Sequence, residues 1–196
     1  MPLFLTYKSL IIMKNFLTIF YFIFFISILK SQIATPTNIF SSPVKNVQLI
    51  SNFCEFRKTH FHAGFDYRAP LNTPIYAIAD GFVSRIKIEA GGYGRGLYIT
   101  HNYSDSGFIS LYGHINFFSS EIENWVKKCQ YQNHSFRLDT NLADSVFKIK
   151  KGQIIGYVGN RGYSFGPHLH FEIRNLNDEP FNPYLFGLKI SDSKAP

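Results

Sequence analysis

Cysteine and long apolar stretches are scarce in this sequence. The two cysteines, Cys54 and Cys129, lie far apart with no Cys-x-x-Cys spacing, so no cysteine metal motif is present. They are left as either one disulfide or two buried thiols. Neither follows directly after the apolar leader, so a lipoprotein anchor is not indicated. The apolar run Phe16–Leu29 is 14 residues, short for crossing roughly 30 Å of hydrocarbon. No dense Lys/Arg cluster interleaved with aromatics occurs, which argues against a nucleic-acid partner. Internal repeats and low-complexity tracts are absent. Residues 1–31 contain no acid at all.

What is present points to strands and turns. The chain has 196 residues, enough for one domain, and 45% of them are hydrophobic, too many for a disordered chain. Twenty-one Phe and 12 Tyr favour strands, and 14 Gly with nine Pro supply turns. Residues 13–32 place a short basic start before the apolar run and small or polar residues after it, which is the layout of a secretory signal peptide. Met13 is a candidate start, and cleavage is expected near Ser31–Gln32. The alternative is an uncleaved anchor over Leu10–Leu29, interrupted by Lys14 and Asn15. Either way the domain is expected outside the cytoplasm, in the periplasm, cell envelope or medium, with no stable membrane insertion once the leader is cleaved. Losing Lys8, Lys14 and Lys30 leaves 17 basic against 13 acidic residues, a formal charge of +4. Such a charge suits an anionic polymer but is common on ordinary surfaces.

Residues 32–47, with Pro36 and Pro43, read as a loose linker, and 48–190 as the folded domain before a tail at 191–196. Strands are expected at Ile75–Ala79, Phe82–Glu89, Leu97–His101, Phe108–His114, Ile154–Val158 and His168–Arg174. Their close spacing, with turn residues at Ala79–Gly81 and Glu89–Gly96, suggests antiparallel hairpins. One helix is expected where Ser120 and Glu123 form a capping box and Ile122, Trp125 and Cys129 recur at helical spacing. It opens an insertion, 119–150, read as an excursion from the sheet. The fold class is therefore mainly β: an antiparallel sheet or sandwich with one helical insertion.

Three segments carry chemistry. On the strand His168–Arg174, alternation puts His168, His170 and Glu172 on one face, exposed or lining a groove, and Leu169, Phe171 and Ile173 on a core face. In His60–Asp66, an imidazole and a carboxylate are separated by three residues, with Gly64 allowing a bend between His62 and Asp66. Tyr112-Gly-His114 adds a third imidazole at a strand end. Each segment alone arises readily on polar surfaces.

In that order, however, they resemble the lysostaphin-type (LytM-like) zinc endopeptidases that cut peptidoglycan peptides, whose signature is His-x-x-x-Asp, then Tyr-x-His, then His-x-His. The resemblance extends through Pro74–Gly81, Gly92-Tyr-Gly94, Lys151–Gly156 and Gly166–Glu172, and covers roughly Phe53 to Tyr184. The segment Glu55–His62 is similar to Bacteroidetes-type versions, which often continue further, so the end at Pro196 is expected to be a shortened form. The resemblance implies a lysostaphin-type fold and one zinc ion held by His62, Asp66 and His170. Three protein ligands leave a fourth place for water. It implies that His168 and His114 face the water and the scissile carbonyl, with His168 the expected base. Glu172 is a candidate partner for a ligand imidazole or for a salt bridge. Arg57 is a candidate for the metal rim or a substrate carboxylate, and His60 an alternative ligand. His101 and His134 are expected at the surface. The implied substrate is peptidoglycan stem peptides or cross-links; the bond cut and the oligomeric state are not encoded in these motifs. A non-catalytic LytM-like module regulating other wall hydrolases is the competing reading, but such modules lack one or more ligands and this chain lacks none.

Overall fold

The computed structural model describes residues 40–46, 48–103 and 106–188. The leader, most of the linker and the tail lie outside the described residues. Among those described, no helix is long and apolar enough to cross a membrane.

The larger of two antiparallel sheets is built on three long neighbours, β4 (Gly81–Ile88), β5 (Arg95–Tyr103) and β6 (Ser106–Gly113). Beyond β6 come β11 (His168–Arg174), β2 (Phe65–Arg68) and β1 (Gln48–Ser51). At the other edge β8 (Leu138–Asn141) and β9 (Lys148–Ile149) both pair with β4, and β12 (Pro180–Phe181) pairs with β11. A smaller sheet has the order β3 (Pro74–Tyr76), β10 (Ile154–Val158), β7 (Ile115–Phe118). The six strands and the hairpin pairing expected from alternation are all present within a few residues. Val83, Ile86, Leu97, Ile99, Phe171 and Ile173 are fully buried in the core, each removing apolar surface worth about 2 kcal/mol.

The helix α1 (Ser120–Gln132) is where the apolar spacing placed it, burying Ile122 and Val126. Its start differs from the expected box. Ser119 is the N-cap and makes no side-chain cap bond. The Glu123 carboxylate instead accepts the Phe118 N–H at 3.0 Å and pairs with Arg95. Held by the Arg95 guanidinium and the Phe118 N–H, that carboxylate does not reach back to the Ser120 N–H as a capping box requires. The stretch 119–150 is also more than an excursion: Leu138, Phe147 and Ile149 are buried, and their apolar surface draws β8 and β9 back onto the sheet edge.

Two further expectations change. Residues 40–46 are not a loose linker: Ser41 N–H donates to Ile78 O at 3.0 Å, Tyr76 N–H donates to Pro43 O at 2.8 Å, and Val44 is buried. Phe40 packs edge-on against Phe108 at 5.2 Å. The two cysteines are both free, with Cys54 exposed and Cys129 half-buried, so neither the disulfide nor the pair of buried thiols is found.

Candidate metal centre

The pairing of β2 with β11 assembles the centre. Asp66 stands opposite His170 in register, and directly opposed residues share a face with Cβ atoms about 5 Å apart. His62 arrives from the segment before β2, where Gly64 is required for close approach rather than for a bend. A Cβ on Gly64 would lie 2.1 Å from Phe171 O, so only glycine lets this segment lie against β11. Three donor atoms then converge. His62 Nε2 is 3.1 Å from Asp66 Oδ1 and 3.1 Å from His170 Nδ1, and His170 Nδ1 is 2.8 Å from Asp66 Oδ1. Tetrahedral zinc with nitrogen and oxygen ligands at about 2.05 Å needs donors about 3.3 Å apart. Two imidazoles and a carboxylate, all buried, meet that requirement, and one zinc ion fits them.

Each donor is held from behind. The second nitrogen of His62 donates to Asn52 O at 2.7 Å and lies 3.1 Å from Ser51 Oγ. The second nitrogen of His170 faces Glu172 Oε1 at 2.7 Å. Glu172 is itself fully buried, accepting from Tyr93 Oη at 2.5 Å and from Arg174 Nε at 2.6 Å. Arg57 donates to Asp66 Oδ2 at 3.0 Å and to Ser51 Oγ, leaving Oδ1 directed at the other two donors. Such partners fix the tautomer and direction of each ligand. Burial alone would raise the Asp66 carboxyl, but hydrogen bonds from His170 and His62 outweigh it and hold it well below the usual range. Burial alone would lower His170, yet Asp66 and Glu172 on its two sides push it up to about 9.

Two more imidazoles border the cluster. His168 Nδ1 is 2.8 Å from Gly166 O, and its Nε2 is 3.7 Å from Asp66 Oδ1. His114 Nδ1 is 2.6 Å from Arg161 O, and its ring centroid is 4.6 Å from that of His168. A carbonyl can only accept, so both Nδ1 atoms carry hydrogen and both Nε2 atoms of the neutral rings present lone pairs. Burial, reinforced by the neighbouring His168, pushes His114 down to about 4. Its backbone sits at φ +59°, a left-handed conformation that is uncommon for a side-chain-bearing residue and clusters at functional sites. Gly94, at φ +65°, lets the β4–β5 turn approach Arg161 and Gly162, where a Cβ would meet backbone at 2.4 Å. That contact steadies the Arg161 carbonyl under His114.

One groove contains residues of the cluster, and a second contains none of them but shares Arg161, whose carbonyl bonds His114. One of about 730 Å³ is lined by Asp66 and His168 together with Arg57, Arg68 and Phe165. The other, about 900 Å³, runs between α1 and the 160–162 loop, with Arg95, Tyr131, Phe136 and Arg161 in its walls.

The structure thus brings together His62, Asp66, His170, His168, His114, Glu172 and Arg57, all singled out from sequence. Glu172 both orients His170 and pairs with Arg174, so its two proposed roles coincide. The face of β11 carrying His170 and Glu172 is buried rather than exposed, because Tyr93 stacks on His170 at 5.4 Å and covers it. His60 is exposed, with Nδ1 3.1 Å from Thr59 Oγ1, and does not join the cluster, because the chain at Phe61 bridges back to Phe56 instead of running on as a strand. His134 is exposed as expected. His101 is not: it is 1% exposed, because its two nitrogens bond Asp80 O at 2.8 Å and Ser110 Oγ at 2.7 Å. Sequence reasoning passed over Tyr93, Arg174 and Ser51 as site residues. Gly92-Tyr-Gly94 was the available signal for Tyr93; the other two had none.

The sequence profile of peptidase family M23 matches residues 60–131 and 130–183. Over 127 residues the chain is 36% identical to the DD-carboxypeptidase/endopeptidase Mpg of Neisseria meningitidis serogroup B, a match covering 65% of this chain and 23% of that protein. Over 111 residues it is 33% identical to lysostaphin of Staphylococcus staphylolyticus, covering 57% of this chain and 18% of that protein. The chain therefore spans about a quarter or less of the length of these relatives. Among solved structures, a mutant catalytic domain of the prophage-encoded M23 protein EnpA from Enterococcus faecalis superposes with a TM-score of 0.55 and 27% identity, covering 76% of this chain and 98% of that one.

Proposed function

Because the chain belongs to peptidase family M23, we propose that it is a zinc-dependent endopeptidase acting on peptidoglycan stem peptides or cross-links in the cell envelope. The observation that carries the reading is the convergence of His62 Nε2, Asp66 Oδ1 and His170 Nδ1 within 3.1 Å of one another, beside two imidazoles that are not needed as ligands. Zinc bound there supplies a polarising Lewis acid and lowers the pKa of a water to about 7.

The chain's own residues do the rest. His62, Asp66 and His170 hold the ion, and Glu172, Arg57 and Asn52 hold those three. His168, with its lone pair at Nε2 and Asp66 nearby, takes the proton of the attacking water and passes it to the leaving amine. Asp66 steadies the imidazolium formed meanwhile. His114, held neutral by burial, offers its Nε2 lone pair to orient the water; donation to an oxyanion requires that ring to be protonated. A relative named as a peptidoglycan DD-endopeptidase supports the substrate class, and the groove that holds Asp66 and His168 gives an extended peptide room beside the cluster.

The test is direct. Residues 32–196, purified, should carry about one zinc per chain and release peptide fragments from purified sacculi. His168→Ala should keep the metal and lose the release. A zinc-loaded protein that releases nothing from walls of any cross-link chemistry would transfer the chain to the regulatory class.

A further inference from the structure

β2 and β11 are paired so that Asp66 faces His170 and, two residues along, Arg68 faces His168. Residues 66 and 68 share one face of β2. Arg68 therefore stands on the same side of the sheet as the metal cluster, directly opposite the expected base. It is exposed and lines the 730 Å³ groove that also contains Asp66 and His168.

The other charges in that groove are spoken for. Glu55 accepts from Ser51 Oγ at 2.5 Å and from Asn52 N–H at 2.8 Å. Arg57 is bonded to Asp66 Oδ2, and Asp66 Oδ1 belongs to the cluster. Among the described residues no carboxylate pairs with Arg68. The groove thus presents one uncommitted guanidinium beside a centre read as hydrolysing peptides. A guanidinium fork matches a carboxylate in two parallel hydrogen bonds. Two residues along β2 advance about 7 Å, which is about two residues of an extended substrate.

We propose that Arg68 is a specificity-determining residue that pairs with a free carboxylate of the bound peptide about two residues from the bond cut. This rests on the peptidase reading above. An ordinary surface arginine would do nothing of the kind, since a solvated guanidinium contributes little.

The experiment uses the zinc-loaded protein, Arg68→Ala and Arg68→Lys, with a labelled synthetic stem peptide and a set in which each carboxylate is singly converted to the amide. Turnover is read by chromatography, and binding by fluorescence anisotropy within seconds of mixing. One amide should be cleaved at least about tenfold less efficiently than the all-acid peptide by the wild type. Arg68→Ala should lose the same factor on the all-acid peptide and nothing further on that amide, with Arg68→Lys between them. Indifference of the wild type to every amidation overturns the proposal, as does an equal loss on all peptides in Arg68→Ala. Tighter binding of the acid form that depends on Arg68, without any turnover, would sink the peptidase reading and leave only the pairing of Arg68 with a peptide carboxylate standing. Equal binding of all forms without turnover would remove both.

Discussion

His101, on β5, and His114, between β6 and β7, are both buried, and burial pushes both down to about 4. Their surroundings differ in one respect. Both nitrogens of His101 are occupied, in a polar chain that continues from Ser110 Oγ to Tyr112 Oη and on to the Ile78 N–H at 3.1 Å. His114 has one nitrogen tied to a backbone carbonyl and, among the described residues, no bond at the other, with its ring 4.6 Å from that of His168 and its backbone left-handed. A depressed pKa therefore does not distinguish a structural histidine from a site histidine; the spare nitrogen and the strained backbone do.

The comparison can be broken from either side. Asp66→Ala should have the largest effect, removing a ligand that two histidines share. Bound zinc should fall from about one per chain to near zero by elemental analysis, and wall hydrolysis should drop by about 10³-fold or more. His168→Ala should lower turnover by about 10²- to 10⁴-fold with zinc content unchanged. On the structural side, His101→Ala should destabilise the fold by about 3–4 kcal/mol in urea, through a cavity and an orphaned Ser110 hydroxyl and Asp80 carbonyl. The folded protein should still bind its metal. A His101→Ala protein that folds stably yet loses zinc would erase the distinction.

Acid separates the two regions more finely. The folded-state pKa of His101 lies below its unfolded value, so its contribution to stability is intact above pH 6.5 and fades as pH falls toward about 4. That shift amounts to about 3 kcal/mol by pH 4. The stability of the wild type should fall more steeply than that of His101→Gln across this interval, by about that difference. The smallest expected effect is that of Glu172→Gln, which keeps the shape but removes the charge behind His170. Zinc affinity, measured by chelator competition, should weaken about 10- to 100-fold while saturating zinc restores occupancy.

The reach of local patterning differs sharply among these residues. β4, β5, β6, β10 and β11 followed from alternation and turn residues, and α1 from apolar spacing, because a strand or helix with a core face imposes its period on the sequence. β2 did not, since four residues beginning inside a histidine cluster, with three of the four buried, show no alternation. The roles of Arg57 and Tyr93 were open or unread for a related cause. Each acts through a partner 9 and 79 residues away respectively, and no local period encodes such a pairing.

From its sequence alone this chain could be assigned a β-rich class, a family likeness, and the identity of five imidazole and carboxylate groups suited to zinc chemistry. Spacing and residue type carry that much because side-chain period and donor chemistry are local properties. Which nitrogen faces the centre, why Gly64 is required, and that Arg68 meets no counter-charge among the described residues were decided only by the packing of β2 against β11, and the burial of His101 only by the packing of β5 against β6 and the Asp80 turn. Those are properties of pairs brought together across the fold, and a pair exists only once the chain has closed on itself.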